Sequence, residues 1–197
     1  EIRTRILGVA SHVQMTGASN TLRDWQSVAD AARRNPEVAG AAPYVLAQGL
    51  LTFSSAVRGA MIRGVDPSLE SAVSDVGQHM KQGSMDALRA GEFGIVLGQE
   101  LAYMLGVSVG EKVVLVAPQG QVTPAGVLPR LKQFTVVGVF AVDHYEYDSA
   151  LAYVHIEDAQ RLFRFNGEVS GIRLRLNDLF ESRKVMRELS REIRGVY

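Results

Sequence analysis

The residues with the best claim to chemistry are few. Gly106-Val107-Ser108-Val109-Gly110 spells G-x-S-x-G, the pattern of a serine nucleophile elbow. That elbow needs a strand before the serine and a helix after it. Here the order is reversed: Gln99–Leu105 has helical spacing and Lys112–Ala117 is rich in β-formers. A helix stop at Gly106 and a turn is the competing reading. "DHYEYD" (Asp143–Asp148) is the densest group of ligating side chains and could bind a metal through His144 and its carboxylates. As a link between two strands it also reads as a solvated, hydrogen-bonded turn. His12, His79 and His155 have no second histidine at metal-ligand spacing and read as structural. No G-x-x-x-x-G-K-[ST] loop is present, so nothing cradles a nucleotide phosphate. The expectation is a chain with no catalytic residue, no metal and no cofactor. An enzyme working at Ser108 or at Asp143–Asp148 is the minority alternative.

Bulk composition bounds the rest. The chain has 197 residues, 47% hydrophobic and 21% charged, enough for one domain or two small lobes. Twenty-one basic residues balance twenty-one acidic ones, which argues against a nucleic-acid partner. There is no cysteine, so disulfides and thiolate chemistry are excluded. No apolar run approaches the roughly 20 residues that cross a bilayer. The chain begins at Glu1 within strand-like sequence and reads as a domain of a larger protein.

The pattern of elements follows from periodicity. Ile6–Met15 reads as a strand. Thr21 with Asp24 resembles a capping box for a helix carrying Leu22, Trp25, Val28, Ala29 and Ala32, stopped at Asn35-Pro36. Val38–Gly64 reads as a long strand and a hairpin broken at Ser54-Ser55. Asp66-Pro67 caps a helix with Leu69, Val73, Val76 and Met80 on one stripe, followed over Lys81–Glu92 by loop with a short turn of helix. Phe93–Leu97, Lys112–Ala117, Phe134–Phe140, Leu151–His155 and Val169–Leu176 read as strands, the last alternating with Ile172, Leu174 and Leu176 on one face and Arg173 and Arg175 on the other, with helices at Gln99–Leu105 and Glu157–Arg164. Asp178 and Glu181 open a last helix with the stripe Leu179, Ser182, Met186, Leu189 and Ile193. Its Arg183, Lys184, Arg187, Arg191 and Arg194 could meet phosphates. Interleaved Glu181, Glu188 and Glu192 favour a solvated face with i,i+4 pairs. Helices and strands mix without strict βαβ alternation, so the fold class is α+β.

One segment does not fit a plain scaffold. "APQGQVTPAGVLPRLKQF" (Ala117–Phe134) joins two strands, holds Pro118, Pro124 and Pro129, and carries apolar Val122, Val127 and Leu128. Prolines fix φ and stiffen the free state, which lowers the ordering cost of binding. Thr123-Pro124-Ala125-Gly126 reads as the tip turn, with Gly126 free to take positive φ. A stiff hairpin with an apolar tip, followed by Arg130 and Lys132, suits a grip on another protein. A long hairpin packed down on its own domain is the alternative.

These blocks carry a resemblance. "FGIVLGQELAYMLGVSVGEKVVLVAPQG", "TPAGVLPRLKQFTVVGVF", "EYDSALAYVHIEDAQRLF" and "VSGIRLRLND" together resemble the periplasmic domain of lipoprotein-releasing permeases, the LolC/LolE family, which belong with MacB-type ABC transporters. The first block is shared by many MacB-type domains; the T-P-x-G-x-x-P loop is more specific.

The resemblance implies an inner-membrane protein of a Gram-negative bacterium, with this chain in the periplasm. It implies a Porter-like lobe at 1–50 and 134–197, and an inserted, β-rich Sabre-like lobe at 51–133 carrying the hairpin 118–129. It implies that the hairpin is the Hook that grips the chaperone LolA, through Pro118, Val122, Thr123, Pro124, Ala125, Gly126, Val127, Leu128 and Pro129. The family's Pad carries over only partly, to Arg130 and Lys132: Lys132 takes a position where the family has arginine, Leu131 stands where glutamine is expected and Val113 where another arginine is. The implied partners are LolA, the ATPase subunit LolD, a second permease subunit and lipoprotein cargo, and no nucleic acid. "VSGIRLRLNDLFES" is closer to the LolE type, which raises a single-permease, LolF-like form pairing with itself. A MacB-type domain serving an efflux or peptide exporter is the alternative.

Overall fold

The computed structural model describes residues 13–193. Strand β1 (Val13–Thr16) is the part of the expected first strand that lies among them; Ile6–His12 lie outside. Helix α1 (Trp25–Arg33) begins later than a capping box at Thr21 would place it. Its N-cap is Asp24, at φ 51°, whose carboxylate accepts from the Ser27 hydroxyl at 2.8 Å. Leu22 is instead held extended by exchanging backbone hydrogen bonds with Val169, and long-range pairing overrides the local cap signal.

β2 (Val38–Phe53) and β3 (Ala56–Val65) form the expected hairpin, turning at Ser54-Ser55. Asp66 caps α2 (Pro67–Glu70) by accepting from the Ser68 N–H, but this helix lasts one turn and does not run on to Met80. Glu70 is drawn inward to a buried arginine, Val76–Gln78 is a 3-10 turn, and Met80–Gly83 becomes β4. An open sheet edge thus claims residues whose apolar spacing suggested a helix. The short turn of helix expected within the 81–92 loop is a 3-10 turn at Met85–Ala87, capped by Ser84.

β5 (Gly94–Gly98) leads into α3 (Gln99–Leu105), which ends at Gly106 in the left-handed region, φ +73°. β6 (Lys112–Thr123) and β7 (Gly126–Phe140) follow. "DHYEYD" proves to be largely helical, as α4 (Tyr145–Ala150). β8 (Leu151–His155), α5 (Ile156–Leu162), β9 (Gly171–Leu176) and α6 (Ser182–Glu192) complete the chain. The buried stripe of α6 is Val185 and Leu189, with Ile193 just beyond it. Met186, placed on that stripe by spacing, is 47% exposed.

The sheet runs β1-β9-β2-β3-β8-β5-β7-β4, and β6 lies between β7 and β2. The ring β2–β3–β8–β5–β7–β6 therefore closes back on β2, an α+β barrel with β9 and β1 as a side sheet. β2 serves both parts: residues 38–44 pair with β9, and residues 45–53 with β3. The 50/51 and 133/134 boundaries of the expected lobes fall inside β2 and β7. The core fills the ring with Leu51, Ile62, Ile95, Leu97, Leu115 and Phe134, all essentially buried. Arg173, on the face of β9 opposite Ile172, Leu174 and Leu176, is buried and pairs with buried Glu70.

Candidate functional site

The hairpin grows straight out of the barrel wall. β6 and β7 pair from Lys112↔Thr135 to Thr123↔Gly126, so the segment expected to be loop is strand almost to its tip. Within the barrel, Val113, Leu115 and Ala117 point inward beside Phe134 and are buried. β2 accompanies β6 only through Leu50↔Val116. Two residues later comes Pro118, which has no N–H to donate, so the ladder to β2 cannot continue there. The register between β6 and β7 also shifts between Ala117 and Gln121, a bulge on the β6 side at the point where the hairpin leaves the barrel.

The tip is the four-residue turn Thr123–Gly126. Gly126 has φ +115°, a conformation open only to glycine, and the Thr123 hydroxyl donates to the Gly126 carbonyl oxygen at 2.8 Å. Pro124, Ala125 and Pro129 are exposed, and so is Pro118 at the foot. Val122 is 81% exposed, Val127 62% and Leu128 55%. Val122 and Val127 are cross-strand partners and share a face. Two and four residues beyond Val127 on β7 come Pro129 and Leu131, the latter also exposed. Leu131 pairs with Val116 and Val116 with Leu50, so an apolar row continues down across three strands. The tip is not packed against its own domain.

The other face of the hairpin anchors it. Leu115↔Lys132 and Ala117↔Arg130 are cross-strand pairs, so both cations stand in line with the barrel-facing row and replace its apolar residues where the barrel ends. Lys132 sets its Nζ 4.4 Å from the centre of the Phe93 ring. Phe93 in turn meets buried Phe134 edge to face, centroids 5.5 Å apart. Arg130 donates from Nη1 to the carbonyl oxygen of Leu162, at the C-terminal end of α5. Helix ends leave such carbonyls unpaired and partially negative, so a guanidinium is a suitable cap. A cleft of about 410 Å³ lies at the foot, lined by Leu46, Met61, Pro118, Phe163 and Phe165 among others.

The remaining candidates fall apart as sites. Ser108 sits on a turn between α3 and β6, its N–H bonded to Glu111 Oε1 at 2.9 Å. Asp148 is buried and accepts from the Val142 N–H, while Asp143 and Glu146 face solvent. His144 packs its ring against Tyr147. Among the described residues there is no group of three or more His, Asp or Glu placed to hold a metal. His155 caps α5 through Nδ1, which accepts from the Glu157 N–H. His12 lies outside the described residues.

Two features had little signal in the sequence. The polar cluster of Arg173, Glu70, Arg63, Tyr153 and Tyr44 lies buried between β-strands and α2. Burial pushes the Tyr153 hydroxyl up from its usual range, partly offset by the Arg63 charge, and burial does the same at Tyr44. Alternation on β9 signalled one apolar face, but nothing signalled that the face bearing Arg173 is covered too. The anchoring role of Arg130 was equally silent, because its acceptors lie more than thirty residues away.

Comparison with known proteins places this geometry. The model of the MacB-like periplasmic core domain matches residues 2–192. The chain is 43% identical over its whole length to "Lipoprotein-releasing system transmembrane protein LolC" of Xylella fastidiosa, covering 47% of that protein. It is 46% identical over 178 residues, 90% of the chain, to the LolC of Neisseria meningitidis, covering 43% of it. It is 26% identical over 190 residues to the LolE of Haemophilus influenzae, covering 94% of this chain and 45% of that protein. The chain thus spans less than half the length of these relatives. Among solved structures, the periplasmic region of MacB from Actinobacillus actinomycetemcomitans superposes with a TM-score of 0.60 at 13% identity, over 100% of this chain and 90% of that one. The extracellular domain of YknZ from Gram-positive bacteria gives 0.60 at 10% identity, over 93% and 97%. At such identities these two speak to the fold alone.

Proposed function

The chain belongs to the family of MacB-like periplasmic core domains, as a LolC-like member, and from that premise we propose that it recruits the chaperone LolA through the 118–129 hairpin and helps pass lipoproteins to it for outer-membrane sorting. The observation that carries the reading is the exposed apolar tip. Val122, Val127 and Leu128 stand clear of the domain on a hairpin braced by Pro118, Pro124 and Pro129. Exposed apolar side chains held on a rigid support are what a partner's apolar pocket can bury at low ordering cost. In this reading Thr123, Ala125 and Gly126 shape the tip, and Arg130 and Lys132 serve first as its footing. Residues 51–133 would act as the Sabre-like lobe, with 1–50 and 134–197 as the Porter-like lobe.

The chain itself does no catalysis in this scheme. ATP would be hydrolysed by a separate subunit, LolD, acting through the intact inner-membrane permease. A second permease subunit, either LolE-like or a second copy of the same one, would complete the transporter. Among the described residues no helix is long and apolar enough to cross a membrane. The test is binding of purified LolA to the 197-residue chain, to Pro124→Ala and to a form lacking 119–129. Binding should be lost without the hairpin; equal affinity of the shortened form would end the proposal.

A further inference from the structure

Helix α6 carries a cationic ridge that the domain itself does not use. Val185 and Leu189 are buried, which fixes the side of the helix that faces the sheet. Arg183, Arg187 and Arg191 recur every fourth residue on the opposite side, with Lys184 beside them, and all are exposed. The interleaved carboxylates favoured a solvated face with i,i+4 pairs. None of the four cations forms an ion pair among the described residues. Glu188 is turned away and accepts from the Asn35 amide at 2.7 Å. Phe180, 78% exposed, stands just before the helix, and half-exposed Met186 lies along its flank.

We propose that this ridge rests on anionic phospholipid headgroups. Charge complementarity carries the choice of occupant. Evenly spaced cations on long flexible stems, with apolar side chains at the margin, match a laterally mobile layer of phosphates. Protein interfaces centre on buried apolar anchors with charge depleted at the core, whereas here four like charges hold the centre and the apolar side chains stand at the margin. The proposal rests on the reading that the domain belongs to a membrane permease, which keeps it near a bilayer. Contact along α6 would fix how the domain is tilted, and so where the hairpin points.

The experiment is co-sedimentation at low salt with vesicles of phosphatidylethanolamine and phosphatidylglycerol, and with phosphatidylcholine alone. The chain should sediment with the anionic vesicles only and be released by added salt. Arg183→Glu with Arg187→Glu should weaken that binding about tenfold or more. Arg58→Glu with Lys112→Glu, the same charge change elsewhere, should leave it unchanged. The four positions are exposed, and matching melting curves check that each variant is folded. The form lacking 119–129 should still bind vesicles, so failure of the hairpin reading is scored separately with LolA. Equal sedimentation with both vesicle types, or an α6 double variant that binds like the parent, overturns the proposal and leaves an acidic protein as the surface the ridge meets.

Discussion

Arg130 Nη1 lies 2.9 Å from the carbonyl oxygen of Leu162, and this contact ties the base of the hairpin to the end of α5. The same nitrogen reaches the Arg161 carbonyl at 3.4 Å. The contact joins the element proposed to bind with an element of the core, since Leu162 and Ala159 of α5 are buried. We predict that Arg130→Ala lowers stability by only about 1 kcal/mol, the net worth of such a bond. It should weaken LolA binding by about threefold to tenfold, because a looser hairpin must be ordered on binding. Calorimetry of the two forms measures both the affinity and the larger entropic penalty; unchanged affinity would remove Arg130 from the binding account.

The exposed apolar face yields a second prediction. Val127→Asp should reduce LolA affinity about tenfold or more, since a charge would have to enter an apolar pocket. Leu131→Asp, lower on the same face, should cost less, and Glu111→Ala on the turn before β6 nothing measurable. Neither Val127→Asp nor Leu131→Asp should alter the melting temperature, because the two residues are 62% and 61% exposed and bury little at home. A graded titration of these variants against LolA checks the order.

The ion pair of Arg173 and Glu70 allows a third. Both groups are buried, so removing one partner strands the other's charge. We predict that Glu70→Ala destabilises the domain by about 3–5 kcal/mol, whereas Glu70→Leu combined with Arg173→Met recovers much of the loss. Urea denaturation of the single and double variants supplies the numbers.

A fourth concerns alkaline pH. Burial raises the pKa of Tyr153 and of Tyr44 in the folded state. A tyrosine is neutral when protonated, so the folded state holds a proton that the unfolded chain gives up near pH 10. The stabilising contribution is therefore complete below about pH 10 and is lost as pH climbs from there through the raised folded values. Melting temperature should fall steeply above about pH 10, and Tyr153→Phe should flatten the fall. A slope identical to the parent's would show that Tyr153 does not carry the linkage.

Much of this architecture was readable wherever one local rule acted alone. The Ser54-Ser55 turn, the Asp66 cap, the Gly106 stop and the Gly126 turn are backbone requirements written at single positions. The sequence misled where distant pairing competed with local pattern. Val73, Val76 and Met80 have helical spacing, yet β7 takes Met80 as a strand residue. Thr21 could cap a helix, yet Val169 holds Leu22 extended. The prolines and apolar residues of the hairpin were legible as a tip. Its footing was not, because Arg130 and Lys132 find Leu162 and Phe93 only once the chain has folded.

The closed ring of strands has a mechanical consequence. β6 and β7 run from the tip into the barrel wall with one bulge at the exit, and each has a further neighbour there, β2 on one side and β5 on the other. Tension applied at residue 124 would therefore run along these strands and load many backbone hydrogen bonds at once in shear. Peeling them open one by one would need a loose border, and the ring offers none at that point. The finger can thus transmit a pull or a push to the whole domain without first coming undone.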